Sequence, residues 1–209
     1  MSFYRDRIVP HLVNWTCGTA GLERWREQAC QGLSGVVVEI GFGTGLNVPF
    51  YPRQVELVYA VEPSSVATKL AAKRIARSAQ PIKLIGLDGQ SLPLAEESCD
   101  SALMTFTLCT IPNAPLALQE ILRVLRPGGQ LHFLEHGKAP DASTARWQER
   151  WDPLQKRVAA GCHLTRDPLE LIGQGGFDSV WVEQRFARGP RPWSYFSVGV
   201  ARKPSITTG

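Results

Sequence analysis

Long hydrophobic runs are missing from this sequence. Its longest stretch without a charge, Ser101 to Gln119, is broken by Pro112, Asn113 and Pro115, which argues against a membrane span. Residues 1–15 carry Arg5, Asp6 and Arg7 and no apolar segment, so no secretory signal is expected. Cysteine is sparse and unpatterned. Cys17, Cys30, Cys99, Cys109 and Cys162 include no C-x-x-C pair, so spacing indicates neither a disulfide framework nor a metal site. A cytoplasmic, reducing location is the simplest reading. Strong charge of one sign is also lacking. A net charge of +4 is too small and dispersed to argue for nucleic acid, although it is compatible with an anionic ligand or weak peripheral membrane contact. No internal repeat, linker or low-complexity tract is visible.

What is present is the material of one α/β domain. The 209 residues are 44% hydrophobic and 20% charged, ordinary values for a globular chain with a substantial core. The most informative stretch runs from Val36 to Asn47. Val36, Val37, Val38 and Ile40 are β-branched and continuous, the pattern of a parallel strand covered on both faces. Gly41, Gly43 and Gly45 follow, where missing Cβ atoms let a ligand approach the backbone. Glu39 precedes them, and Phe42 and Asn47 belong to the same turn. The spacing is E-x-G-x-G-x-G rather than G-x-G-x-x-G, and no Tyr-x-x-x-Lys occurs, which speaks against a nicotinamide-dependent reductase.

Further acids fall at later strand ends. The strand Glu56–Val61 ends in Glu62 and Pro63, about 20 positions past the first glycine, where an acid in doubly wound folds accepts ribose hydroxyls. The strand Ile82–Leu87 ends in Asp88-Gly89, placed to accept an exocyclic amine. The strand Cys99–Phe106 ends in an uncharged tip, Thr105 to Pro112, that should face the ligand. Asn113 caps a helix whose buried stripe is Leu118, Ile121, Leu122 and Leu125, ended by Pro127-Gly128-Gly129. The strand Gln130–Leu134 then delivers Glu135-His136.

Two segments flank this core. Residues 1–34 read as a helical arm, either packing on the sheet or covering the ligand with Tyr4, Arg5 and Trp15. Residues 138–165 interrupt the β/α alternation, with Trp147, Trp151, Leu154 and Val158 on one helical face and Pro153 as a kink. Two last strands, Ser179–Phe186 and Trp193–Arg202, suggest an antiparallel hairpin at one sheet edge. The tail 205–209 is expected to be disordered. The whole of residues 1–204 is therefore expected to form a single Rossmann-like domain, a seven-stranded mostly parallel sheet with an antiparallel last strand and helices on both faces.

The glycine turn, the two acids and the uncharged tip, in this order, resemble the class I S-adenosylmethionine (SAM) methyltransferases over roughly residues 35–136, and Leu-Arg-Val-Leu-Arg-Pro-Gly-Gly at 122–129 strengthens the match. The run Thr107–Pro112, the pair Glu135-His136, the Trp-rich insertion and Gly161–Arg166 look like the alkyl thiol methyltransferase group and its bacterial relatives. This resemblance implies SAM as methyl donor, S-adenosylhomocysteine as product, and a thiol on a small hydrophobic molecule as acceptor. It places the donor on Glu39, Gly41, Phe42, Gly43, Gly45, Asn47, Glu62, Pro63, Asp88, Gly89, Thr105 and Phe106. The candidate bases are His136 and His163, because imidazole titrates near working pH. Tyr4, Trp15, Leu108, Trp147, Trp151 and Arg166 are the candidate acceptor pocket, and no metal is expected. O- or N-methylation of a small molecule, quinone precursor or phospholipid headgroup is the competing chemistry, and a non-catalytic SAM-binding protein is the non-enzymatic alternative. Monomer and homodimer are both open.

Overall fold

The computed structural model of the protein describes residues 7–86, 88–159 and 161–205. The readings made for Tyr4 and Arg5, for Leu87 and for the tail from Ile206 onward lie outside these residues. The strands are β1 (Gly35–Ile40), β2 (Val55–Val61), β3 (Ile82–Gly86), β4 (Cys99–Thr105), β5 (Leu125–His136), β6 (Asp178–Phe186) and β7 (Tyr195–Arg202). They form one sheet in the order β3-β2-β1-β4-β5-β7-β6. Every pairing is parallel except those that β7 makes with β5 and β6. The helices are α1 (Val9–Cys17), α2 (Ala20–Cys30), α3 (Ser65–Ile75), α4 (Ala114–Val124), α5 (Ala142–Val158) and α6 (Pro168–Gln174).

Successive side chains on a strand point to opposite faces, and this sorts the core into two layers. Val38, Ile40, Ala102, Met104, Leu131 and Phe133 pack with α4 and α6 on one face. Val37, Leu103, Leu134 and Val198 pack with Trp25 and Ala29 of α2 and Ala71 of α3 on the other. The same parity carries the polar residues at the strand ends. Glu39 and Thr105 share the α2 face with Val37 and Leu103.

Local signals set the helix starts. Ser64 accepts from Ala67 N–H, Asn113 from Leu116 N–H, Asp141 from Thr144 N–H, and Asp167 from Leu169 N–H. In α4, Leu118, Ile121 and Val124 are fully buried at helical spacing, each contributing about 1.5–3 kcal/mol. Pro127-Gly128-Gly129 does not end this helix, and Leu125 is not part of its stripe. Leu125 already pairs with Cys99 of β4, the next pair is Ser101 with Gln130, and Arg126 to Gly129 form the bulge between them. Gly128 takes the left-handed conformation this requires, at φ 77°. Pro153 does not break α5, which runs on through it.

The face that α5 buries is not its apolar stripe. Trp147, Trp151, Leu154 and Val158 are 52%, 37%, 48% and 41% exposed. The helix instead buries Thr144, Gln148 and Asp152. Gln148 accepts from Ala139 N–H and donates to the carbonyls of Gly137 and Pro192. Asp152 accepts from Leu164 N–H at 2.7 Å and pairs with Lys156. Satisfying these loop backbones outweighs burying the apolar stripe, because a buried unpaired N–H or C=O is expensive.

Strand order reverses between β1 and β4, where the crossovers leave in opposite directions. This is the switch point at which ligands of such sheets bind, outside the carboxyl ends of the strands.

Candidate functional site

Two groups of residues meet at the switch point. The first lies around the turn after β1. Gly41, Gly43 and Gly45 have φ of 72°, 58° and 74°, the region glycine enters without strain. They serve different ends. A Cβ on Gly41 would collide with Thr107 Oγ1, and one on Gly45 would press on Phe42 and Ala71 at 3.3–3.4 Å. A Cβ on Gly43 would meet nothing nearer than 3.7 Å. Gly41 and Gly45 therefore let the protein close on itself, and Gly43 leaves room for a ligand. Gly89 resembles Gly41, since its Cβ would strike Ile40.

Beneath the turn is a buried polar network. Glu39 is 1% exposed and accepts from Asn47 Nδ2 and from the Tyr51 hydroxyl. Asn47 Nδ2 also donates to Thr105 Oγ1 at 2.9 Å. Arg26 of α2 enters from the side, donating to Asn47 Oδ1 at 2.7 Å and to Thr105 Oγ1 at 3.2 Å. Nη2 donates to the Cys17 carbonyl at 3.3 Å, and Nε is buried and unpartnered. Burial raises the Glu39 carboxyl to about 7 against the opposing hydrogen bonds from Tyr51 and Asn47, and it lowers Arg26. Glu62 closes the rim: Oε2 accepts from Gly43 N–H at 2.8 Å and Oε1 from Ser64 N–H at 2.7 Å. Burial raises its carboxyl as well. Each oxygen keeps a second acceptor position. Asp88 is exposed and accepts twice from Gln90, and Pro63 is exposed beside it on the rim.

The second group gathers at the tips of β4 and β5. Phe106 has φ 55°, which turns its ring against Phe196 and under Arg26, 5.3 and 5.4 Å between the respective centres. Such a conformation for a bulky residue persists only where its surroundings impose it, and it recurs at functional sites. Glu135 is fully buried and accepts from the N–H groups of Thr107, Leu108 and Cys109, folding the tip over its carboxylate. Arg166 Nη1 donates to the carbonyls of Leu108 and Ile111 at 2.6 and 2.8 Å. His163 N–H donates to the Cys109 carbonyl at 2.7 Å, laying the segment after α5 on this tip. Cys109, His136 and Cys162 are thereby brought together, their ligand atoms all within 4.8 Å of one another. Cys162 Sγ lies 4.0 Å from His136 Nδ1, and His136 Nε2 is buried without a hydrogen-bond partner. The Cys109 thiol, with help from His136, holds the Cys162 thiol well below the usual range, while Cys109 itself is pushed up.

The expected site residues thus divide. Glu39, Gly43, Asn47, Glu62, Thr105, Phe106 and His136 converge on the switch point. Phe42 does not offer itself to a ligand: its ring is in the core and its N–H donates to Val61. Leu108 is 1% exposed within the core rather than lining a pocket. Arg166 is spent on tip carbonyls. Trp147 stands in a shallow hollow with Ser143, Arg146 and Arg150, and Trp151 packs on Trp193, so neither builds an acceptor pocket. Trp15 is 76% exposed, while its neighbour Asn14 accepts from the Thr44 hydroxyl and ties the arm to the glycine turn. Arg26 and Tyr51 escaped the sequence reading, and Cys109, Glu135 and Cys162 stood in its motifs without an assigned role. An arginine at i+4 from Leu22, on the face that also carries Trp25 and Ala29, was the one visible sign.

The chain resembles known proteins along most of its length. Residues 38–133 match a family described as a methyltransferase domain. Thiol S-methyltransferase TMT1B of Rattus norvegicus is 36% identical over 78% of this chain and 66% of the relative. The Homo sapiens protein of that name is 35% identical over 80% of this chain and 69% of its own length. The chain therefore spans about two thirds of these relatives. A solved SAM-dependent methyltransferase from Thermotoga maritima superposes with a TM-score of 0.67 at 25% identity, covering 95% of this chain and 97% of that one.

Proposed function

This chain belongs to the class I SAM-dependent methyltransferases, and from that premise we propose that it transfers a methyl group from SAM to the sulfur of a small hydrophobic thiol. The observation that carries the acceptor is the identity of about 35% with thiol S-methyltransferases over most of the chain. The site's chemistry agrees with the donor. Gly43 leaves space at the turn, Glu62 has acceptor positions for vicinal hydroxyls, and the free Nε of the buried Arg26 offers a cationic donor to a carboxylate. Asp88 is an open acceptor for an amine. When bound, SAM supplies a methyl carbon on a cationic sulfur, open to in-line displacement.

The chain's own task is to align the acceptor, exclude water and accept a proton. His136 is our candidate for the proton, with an unpartnered ring nitrogen beside the aromatic pair Phe106 and Phe196. His163 is the second candidate, half-buried over the same tip. We read residues 1–204 as one domain in which the arm 1–34 covers the donor and the insertion 138–165 covers the acceptor. The Asn14–Thr44 bond and the Asp152–Leu164 bond support the two covers. Among the described residues no helix is long and apolar enough to cross a membrane. Five unpaired cysteines support a reducing location such as the cytoplasm.

The test is a mass-spectrometric assay with labelled SAM and a panel of aliphatic thiols, aromatic thiols, phenols and amines. Label on thiols alone is expected. Turnover on a phenol or amine with none on any thiol would replace the acceptor. SAM binding with no transfer to any acceptor would make the chain a SAM-binding protein.

A further inference from the structure

The cluster of Cys109, His136 and Cys162 has a part to play beyond a general base. The three residues come from three places in the sequence: the tip after β4, the end of β5, and the segment after α5. Each is held by its own support. Glu135 accepts from Cys109 N–H, and His136 ends the central run of β5. Cys162 is fixed between the His163–Cys109 main-chain bond and the Leu164–Asp152 bond. Two sulfurs and an imidazole are thus gathered at the ligand edge of the sheet, within 4.8 Å of one another. His136 is 6% exposed, and its Nδ1 is the ring nitrogen that faces the Cys162 sulfur.

We propose that Cys109, His136 and Cys162 form a zinc site with three protein ligands, whose fourth position takes the acceptor sulfur. Zinc favours this donor set. Bond lengths of about 2.3 Å to sulfur and 2.0–2.1 Å to nitrogen put tetrahedral ligand atoms roughly 3.4–3.8 Å apart. The observed 4.0 Å between Cys162 Sγ and His136 Nδ1 is close to that span. The site is open rather than closed. Among the described residues the group contains three ligands, and the nearby Glu135 carboxylate is already committed to three backbone N–H groups. Closed tetrahedral sites are structural, whereas two cysteines and one histidine with an open position make a reactive one.

The open position matters because the thiolate, not the thiol, is the nucleophile. A thiol that binds zinc is deprotonated. With the metal bound, His136 is a ligand rather than the proton acceptor, and the acceptor's S–H proton is lost to water as its sulfur coordinates. A bond then forms between that sulfur and the methyl carbon, and the electron pair of the broken methyl–sulfonium bond stays on the donor sulfur. The thioether product is neutral and a weaker ligand, so it leaves. The role of the fourth position rests on the thiol reading above; the metal site does not.

The experiment uses the full chain purified with a phosphine reductant, so that both thiols are free. Elemental analysis should give one zinc per chain. Cobalt substitution should produce thiolate charge-transfer and tetrahedral d–d bands. Cys109→Ser, Cys162→Ser and His136→Gln should each weaken zinc by more than the roughly 10–100-fold that outer-shell changes cost. SAM affinity by calorimetry should stay unchanged in all three, which confirms that they fold. Adding a simple alkanethiol should alter the cobalt charge-transfer band. Absence of metal in the reduced protein, a Cys109–Cys162 disulfide in its place, or zinc affinity indifferent to all three substitutions would overturn the site. Cobalt bands indifferent to alkanethiol would overturn the open-position role. Zinc bound as expected but no thiol methylated would instead sink the acceptor reading and leave the metal site standing.

Discussion

The two halves of the switch point are built differently. The half after β1 is contiguous: Glu39 to Tyr51 supply the turn, its buried acid and most of that acid's partners within a dozen residues. The half after β4 and β5 is assembled from a distance. Its tip residues 107–109 hang from Glu135, its carbonyls from Arg166, and its third member, Cys162, from a segment that Asp152 and His163 hold. The first half is a motif and the second a junction. A motif changes little without losing its ligand, whereas a junction can be re-sorted by altering one supporting loop.

The largest effect should come where the two halves touch. Arg26 donates to Asn47 of the first and Thr105 at the edge of the second. Arg26→Ala strips the buried Asn47 Oδ1 and the Cys17 carbonyl of their arginine donor, although Thr105 keeps Asn47 Nδ2, and should lower stability by about 3 kcal/mol. SAM affinity in calorimetry should fall roughly 100-fold or more. Unchanged affinity would separate the arginine from the donor. Next, Gly41→Ala should cost about 1–3 kcal/mol in denaturant unfolding, because its left-handed backbone is strained and its Cβ meets Thr107. Gly43→Ala carries the same left-handed strain without that clash, so it should keep more stability and lose more SAM affinity. Equal behaviour of the two would erase the distinction between a closing glycine and a binding one.

Gln148→Ala probes the other half. It frees Ala139 N–H and the carbonyls of Gly137 and Pro192, at about 2 kcal/mol. Loosening the insertion should cut kcat/KM for the acceptor roughly 10-fold or more while SAM affinity holds. A parallel loss of SAM affinity would mean that the halves are not separable.

This contrast also decides what could be read from the sequence. Strand parity, glycine spacing and the cap Asn113 are local, so the sheet, the turn and Glu62 were legible. The cysteines were not, because Cys109 and Cys162 meet only through the backbone bond from His163 and neither lies in a spaced motif. The aromatic stripe of α5 stays exposed for a physical reason. Apolar periodicity marks a buried face only where burial is the strongest demand. Here three loop-backbone contacts of Gln148 and one of Asp152 outweigh it.

A smaller effect tests the charge beneath the turn. Burial raises the Glu39 carboxyl from an ordinary 4.5 to about 7. A raised acid binds its proton more tightly when folded, so its contribution is greatest below pH 4.5 and is lost as pH climbs through about 7. The loss is at most about 3 kcal/mol. Glu135 is also raised to about 7 and acts in the same window. Glu39→Gln should therefore flatten, without abolishing, the fall in stability between pH 4.5 and 7 measured by urea unfolding. A slope identical to the parent would mean that Glu39 is not the titrating member of the first half.

The smallest effect belongs to Trp147. At 52% exposure, with Arg150 5.7 Å over its ring, it touches neither half. Trp147→Ser should change stability by no more than about 0.5 kcal/mol. It should leave both SAM affinity and turnover of a water-soluble thiol at the parent value. Its one expected consequence is at a lipid surface, where the exposed stripe with Trp151, Leu154 and Val158 stands beside Arg146, Arg150 and Arg157. Co-sedimentation with vesicles of anionic lipid should weaken, most visibly at low salt, because the arginines contribute through a screened potential. A fall in soluble-thiol turnover at unchanged SAM affinity would return the stripe to the acceptor half, and the boundary between site and surface would have to move outward to include it.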